Sequence, residues 1–268
     1  MKRFFNILFL SIMLMASINP VFAKDAKFIQ ITDLHFTTSD ESVANFENAI
    51  KKINKTKDVD FVVFTGDNIA SANILYLEKF VKLVRKIKVP YYIVLGNTDC
   101  FKSAGLTKEE YLKILNHHKL FNRQKSFNFT VKDGKYVYAF VDGAKEFVPA
   151  ANGYFRETTI LWLDRVLKKN KKKTVIIFQH FPLFEISPYS ASNLYRGDLY
   201  NEMLKEHNNV LAVFAGHYQV NIDKIAPNGT TEYIVTEPAQ EGYSKYREVY
   251  IIDLGDKKFE IYSQIVKF

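Results

Sequence analysis

Five segments of this 268-residue chain share one design: an apolar run stops and passes directly into polar side chains. KFIQIT runs into Asp33-Leu34-His35, DFVVFT into Gly66-Asp67-Asn68, and PYYIVL into Gly96-Asn97-Thr98-Asp99. TVIIFQ runs into His180-Phe181-Pro182, and NVLAVFA into Gly216-His217-Tyr218-Gln219. Continuous rather than alternating apolarity marks strands covered on both faces, as in a parallel or mixed sheet between helices.

Helical patterns separate these runs. SVANFENAIKKINK sets Val43, Phe46, Ala49, Ile50 and Ile53 on one face, and ANILYLEKFVKLVRKI repeats the device with Pro90 just beyond it. In TKEEYLKILNHH, Thr107 and Glu110 have the spacing of a capping box. TTILWLDRVLKKN and DLYNEMLKEH complete the set, and the alternation predicts an α/β architecture. After His217 the runs EYIVTEPA, EVYIIDL and KFEIYSQIV follow one another without helices, which predicts an antiparallel edge or a second sheet. No repeat or linker divides residues 24–268, so one domain is expected.

In an open α/β sheet the carboxyl ends of the strands share one rim, where ligands bind. Five strand ends therefore bring Asp33, His35, Asp67, Asn97, His180 and His217 to one place. Carboxylates, imidazoles and an amide oxygen are donors that divalent cations of intermediate hardness prefer. The glycines before Asp67, Asn97 and His217 are expected to allow sharp turns that aim those side chains inward. A lone Asp-x-His or Gly-Asp is ordinary turn chemistry; five such endings in order are not.

The series Asp33-x-His35, Gly66-Asp67, Gly96-Asn97, His180 and Gly216-His217 resembles the calcineurin-like metallophosphoesterases. The resemblance spans essentially the chain after residue 23 and includes the Trp162-Leu163 helix before the His180 strand. It implies two mixed sheets sandwiched between helices. It also implies two divalent metal ions (manganese, iron or zinc): Asp33 and His35 on the first, Asn97, His180 and His217 on the second, and Asp67 bridging both. The implied chemistry is in-line attack by a metal-bridging hydroxide on a phosphodiester or an activated phosphomonoester. The purple acid phosphatase branch, which carries a tyrosine three residues after the bridging Asp, is set aside because Ala70 stands there.

Two positions depart from the family pattern. Thr98 stands where the family usually has the histidine that protonates the leaving group, and Asp99 would normally orient that histidine. A hydroxyl is no acid near neutral pH, so a step usually worth about a hundred- to ten-thousand-fold is put in question. His117 and His118 are candidate substitutes. Gln219 stands where a histidine usually completes the first metal site, and its carbonyl oxygen is a weaker, harder donor. A protein of the same fold that binds metal and phosphoester with weakened catalysis is the alternative. Tyr154, Phe155, Tyr189 and Tyr195 are candidate pocket residues.

The first 23 residues have the three-part layout of a secretory signal: the basic head MKR, an apolar run, and Asn19-Pro20-Val21-Phe22-Ala23 before Lys24. Cleavage after Ala23, a periplasmic or extracellular location and no remaining membrane span are expected, and without a cysteine at that site lipid anchoring is not. Export would leave Cys100, the only cysteine, without an internal partner. The formal charge of +8 falls to +6 without Lys2 and Arg3. The densest cationic run, KKNKKK at 168–173, follows a helical pattern and reads as a solvated helix end. Small-molecule, lipid or envelope phosphoesters are the expected substrates, with no nucleic-acid partner. Oligomeric state is not legible.

Overall fold

The computed structural model describes residues 25–117, 123–148, 150–187, 190–195 and 197–268. The expected leader at 1–23, His118 and Tyr189 lie outside the described residues. Five strands, β1 (Ala26–Ile31), β2 (Phe61–Thr65), β3 (Tyr91–Val94), β10 (Lys245–Gly255) and β11 (Lys258–Lys267), form one mixed sheet in the order β11-β10-β1-β2-β3. The second sheet holds β4 (Phe129–Asp133), β5 (Tyr136–Phe140), β6 (Thr174–Phe178), β7 (Val210–Ala215), β8 (Ile222–Ile225) and β9 (Glu232–Val235), in the order β4-β5-β6-β7-β9-β8. The helices are α1 (Asp40–Ile53), α2 (Ile74–Val84), α3 (Lys108–Asn116), α4 (Glu157–Lys169) and α5 (Gly197–Lys205).

The strand faces show why the layers stack in this order. On β1, Ile29 and Ile31 pack with Phe46, Ile50 and Phe80 of α1 and α2, while Phe28 points the other way. Phe28 joins Val63, Phe178 and Phe214 in a core between the two sheets. A third core sets Val175 and Ile177 of β6 against Leu163 and Leu167 of α4 and Tyr200 of α5. Three apolar layers separate four layers of secondary structure, so β1, β2, β6 and β7 are buried on both faces and read as continuous apolar runs. Each fully buried Phe in these layers contributes about 2–3 kcal/mol of apolar burial.

The helix ends are specified locally. Ser39 caps α1 by accepting from the Ser42 amide, acidic Asp40 and Glu41 occupy its first turn, and Lys51 and Lys52 its last. Thr107 caps α3 through the Glu110 amide, at 3.2 Å, as the spacing predicts.

The segment after His217 is divided between the sheets. β9 lies parallel to β7, with β8 antiparallel outside it, and β10 with β11 extends the first sheet antiparallel to β1. The expected antiparallel edge describes β10 and β11, whereas β9 lies parallel to β7 on one side and antiparallel to β8 on the other.

Candidate metal centre

All five polar strand ends lie on one rim, where the loops after the strands hold one another. The Asp33 amide donates to the Gly66 carbonyl at 3.0 Å and the His35 amide to the Asp67 carbonyl at 2.9 Å. Within the second sheet the Gly216 amide donates to the His180 carbonyl at 3.0 Å, and across the sheets the His217 amide donates to Asp33 Oδ2 at 2.9 Å. Asp33, His35, Asp67, His217 and Gln219 all adopt left-handed backbone, with φ from 44° to 70°. Such conformations cost about 1–3 kcal/mol each in a non-glycine residue and persist only where the surroundings impose them. Their concentration on this rim marks it as functional.

All three flanking glycines are required by clearance. Gly66 has φ 97°, and a Cβ there would lie 2.5 Å from His180 Nδ1. A Cβ on Gly96 would lie 2.2 Å from Asp67 Oδ1. Of the three glycines expected to make sharp turns, only Gly66 has positive φ; Gly96 and Gly216 leave room for neighbouring carboxylates instead.

The donors form two groups that share a member. Asp33, His35 and Asp67 offer ligand atoms within 4.8 Å of one another, and so do Asp67, His180 and His217. Asp67 Oδ2 lies 3.5 Å from His180 Nε2 and 3.8 Å from His35 Nε2. Asp67 therefore stands where one carboxylate can face two cations.

The surrounding hydrogen bonds hold one end of each ligand and leave the other free. Asp33 Oδ2 accepts from the Thr32 hydroxyl at 2.7 Å and from the His217 amide, while the buried Oδ1 has no partner. Asp67 Oδ1 accepts from the Thr98 amide at 2.9 Å. His180 Nδ1 donates to the Thr65 carbonyl at 2.8 Å, so Nε2, which has no hydrogen-bond partner, is the nitrogen left to face a cation once it has lost its proton. His217 Nε2 donates to the Ser192 carbonyl at 3.0 Å, which leaves Nδ1 as that ring's donor. Asn97 Oδ1 is likewise buried without a partner. Unpaired buried lone pairs on this many convergent groups are costly unless a cation meets them. The donor set fits divalent metals, and Thr32, Thr65 and Ser192 supply the outer contacts that orient such ligands.

The electrostatics agree. Burial raises the Asp33 carboxyl above the usual range. Burial also opposes ionisation of Asp67, but the adjacent His180 overrides it and holds Asp67 low. Burial would lower His180, yet Asp67 pushes it up to about 9. His217 is brought down to about 4 by burial and then by His180. With protein groups alone, one imidazole must act as the cation between two carboxylates.

Gln219 brings its amide nitrogen to 3.4 Å from His35 Nε2, beside the Asp33–His35–Asp67 group. Thr98 donates its hydroxyl to the Ile69 carbonyl at 2.6 Å. Asp99 faces no histidine partner: it accepts from the amides of Gly96, Asn68 and Ile69 and from Asn68 Nδ2, all at 2.7–3.1 Å. It ties the loop after β2 to the loop after β3, and burial with Asp67 nearby raises its carboxyl to about 7. His117 caps the exposed end of α3. Tyr154 and Tyr195 pair at 5.8 Å, with Tyr195 exposed, whereas Phe155 packs on Tyr200 in the core. The supporting roles of Thr32, Thr65 and Ser192 are absent from the sequence reading; only Thr32, next to a ligand, carries a local signal.

The calcineurin-like phosphoesterase family model matches residues 26–221. A protein of Arcobacter nitrofigilis named probable glycerophosphodiester phosphodiesterase GpdQ is 26% identical over 200 residues, covering 70% of each chain. A probable cyclic nucleotide phosphodiesterase of Moraxella catarrhalis is 25% identical over 202 residues, covering 70% of this chain and 69% of its own. Among solved structures, a dimetal phosphatase of Danio rerio superposes with a TM-score of 0.68 at 14% identity, over 91% of this chain and 99% of its own. Two mixed sheets flanked by helices, with paired metal-ligand groups on one rim, make this chain a member of the calcineurin-like phosphoesterase family, in the enzyme class of metal-dependent phosphoric ester hydrolases.

Proposed function

We propose that the chain is an exported, dinuclear phosphoesterase acting on phosphodiesters or on phosphomonoesters with good leaving groups. The observation that carries the reading is the pair of donor groups sharing Asp67. Asp33, His35 and Gln219 would hold one cation, Asn97, His180 and His217 the other, and Asp67 both. When bound, such a pair supplies Lewis-acid charge that acidifies water and neutralises phosphoryl oxygens.

The chain's own residues set the limits of that chemistry. Thr98 stands next to the shared carboxylate, but its hydroxyl proton is committed to the Ile69 carbonyl. The leaving group must therefore depart with little help from a protein acid, which favours aryl or otherwise stabilised alkoxides. Two relatives named as phosphodiesterases support the diester reading. The leader at residues 1–23 supports export.

The test is hydrolysis of aryl phosphate mono- and diesters with added manganese, beside Asp67→Ala. A drop of at least about a thousandfold in the variant is expected, since every donor group loses its shared member. Equal rates in the two proteins would sink the proposal. The same Thr98–Ile69 bond favours one second reading, a protein that binds phosphoester and metal but turns over slowly. That reading requires tight product-like binding and only slow metal-dependent hydrolysis even of aryl esters.

A further inference from the structure

The core between the two sheets changes character just below the metal centre. Phe28, Val63, Ile234 and Val249 line it from β1, β2, β9 and β10, and all are apolar. Two residues nearer the rim on each chain stand Gln30, Thr65, Thr236 and Arg247, and all four are buried. A buried amide in an oily layer costs free energy unless its polar atoms are met. Those of Gln30 are met at three points. Its Nε2 donates to the Thr65 hydroxyl and to the Ala215 carbonyl, both at 2.9 Å, and its Oε1 accepts from the Thr236 hydroxyl at 2.7 Å.

The direction of these bonds is forced from one end. A guanidinium has donors and no acceptor. Arg247 Nε donates to Thr236 Oγ1 at 2.8 Å, so the Thr236 proton has to go to Gln30 Oε1. That turns the NH2 end of the amide toward Thr65 and Ala215. Arg247 is itself held by the Ser263 hydroxyl at 2.7 Å and the Val235 carbonyl at 3.2 Å. A relay of one polarity thus runs from β10 through Gln30 to the ends of β2 and β7, and the low local dielectric strengthens each bond in it.

Both ends of the relay lead into ligand loops. Thr65 precedes Gly66-Asp67, and its carbonyl is the one that His180 Nδ1 meets at 2.8 Å. Ala215 precedes Gly216-His217. One amide therefore holds the strand end that serves Asp67 and His180 together with the strand end that serves His217. Those three residues keep their ligand atoms within 4.8 Å of one another. An apolar side chain at Gln30 would fill the same volume without holding either strand end.

We infer that Gln30 is a positioning residue of the metal centre: its amide, aimed by Arg247 through Thr236, fixes the spacing of the Asp67–His180–His217 group. The inference rests on the metal reading of that group and adds a requirement that the ligands alone do not carry.

The experiment is calorimetric titration of the full chain with manganese alone, with the urea midpoint of each variant measured beside it. Gln30→Leu is expected to weaken manganese binding at least about tenfold, the low end of losses from outer contacts of a metal site. Thr236→Val, which removes one hydroxyl and keeps the shape, is expected to weaken it in the same direction, and Thr236→Ser to keep wild-type affinity. Because both residues act through one relay, Gln30→Leu/Thr236→Val is expected to bind no more weakly than Gln30→Leu. Val249→Ala, a cavity in the adjacent apolar layer, is expected to lower the urea midpoint and leave manganese affinity unchanged. Should Gln30→Leu not fold, the two Thr236 variants decide alone. Equal affinities of wild type and Gln30→Leu, equal affinities of the two Thr236 variants, multiplied losses in the double variant, or the same weakening in Val249→Ala would overturn the inference and leave the metal reading intact. A wild-type protein that takes up no manganese would sink the metal reading and this inference with it.

Discussion

The Thr98 hydroxyl lies 2.6 Å from the Ile69 carbonyl oxygen and gives that carbonyl its only proton. The side chain at the position next to the shared Asp67 is thus oriented into its own backbone, away from proton transfer. Thr98→His is expected to raise hydrolysis of esters with alkyl leaving groups by at least about tenfold, at the low end of general-acid contributions. Aryl esters, which leave unaided, should gain less. Steady-state rates on a matched alkyl and aryl diester check this; a uniform change across both would show that leaving-group protonation is not the limitation.

Asp99 accepts four hydrogen bonds while fully buried. Asp99→Ala strands the amides of Gly96, Asn68 and Ile69 and is expected to cost about 3 kcal/mol or more of stability. The loss is read from the urea midpoint. Because the Asp67 loop is one of the two that Asp99 joins, metal affinity should fall in the same variant.

Gln219 reaches the Asp33–His35–Asp67 group with an amide that is a weaker donor than imidazole. Gln219→His is expected to tighten the weaker manganese-binding step by at least about tenfold, because a neutral imidazole is the stronger donor. Calorimetric titration of wild type and variant with manganese settles the direction. Equal affinities for two zinc ions in the wild-type protein would contradict the premise.

His180 is held protonated up to about pH 9 by Asp67, and a metal can take its Nε2 only when that proton leaves. Binding at the His180 group should therefore release a proton at pH 7, and affinity should rise as pH increases, up to about tenfold per unit, levelling off near 9. His217, already brought down to about 4, should add nothing to that release. Titrations in buffers of different ionisation enthalpy count the protons; a release of zero would show that His180 is neutral before metal arrives.

Much of this was legible from residues alone, for a physical reason. Strands buried on both faces cannot alternate, so β1, β2, β6 and β7 announced themselves as continuous runs, and their common parallel direction forced Asp33, Asp67, His180 and His217 onto one rim. β4 and β8 were not legible. FTVKD and IDKI are edge strands with half-exposed residues, so burial leaves no strong pattern in them. The parallel course of β9 was missed too, since pairing direction depends on which strand lies beside it and not on its own four residues. At the site, the ligands were visible because they end strands. Ser192 was not, since it meets His217 from a loop 25 residues away in sequence. The role of Gln30 was hidden for the same reason: Thr236 meets it, and Arg247 meets Thr236, only once the two sheets stack.

The donor set is also divided between the two sheets. Asp33, His35, Asp67 and Asn97 follow β1, β2 and β3 of one sheet, while His180 and His217 follow β6 and β7 of the other. Asp33, His35 and Asp67 lie in one layer, but the group of Asp67, His180 and His217 spans both, so any cation gripped by Asp67 and His180 together is a cross-link between halves already joined by apolar contact and by bonds such as that from His217 to Asp33. Loading the centre would thus rivet the sandwich shut at its catalytic edge, making mechanical cohesion and chemical competence a single event.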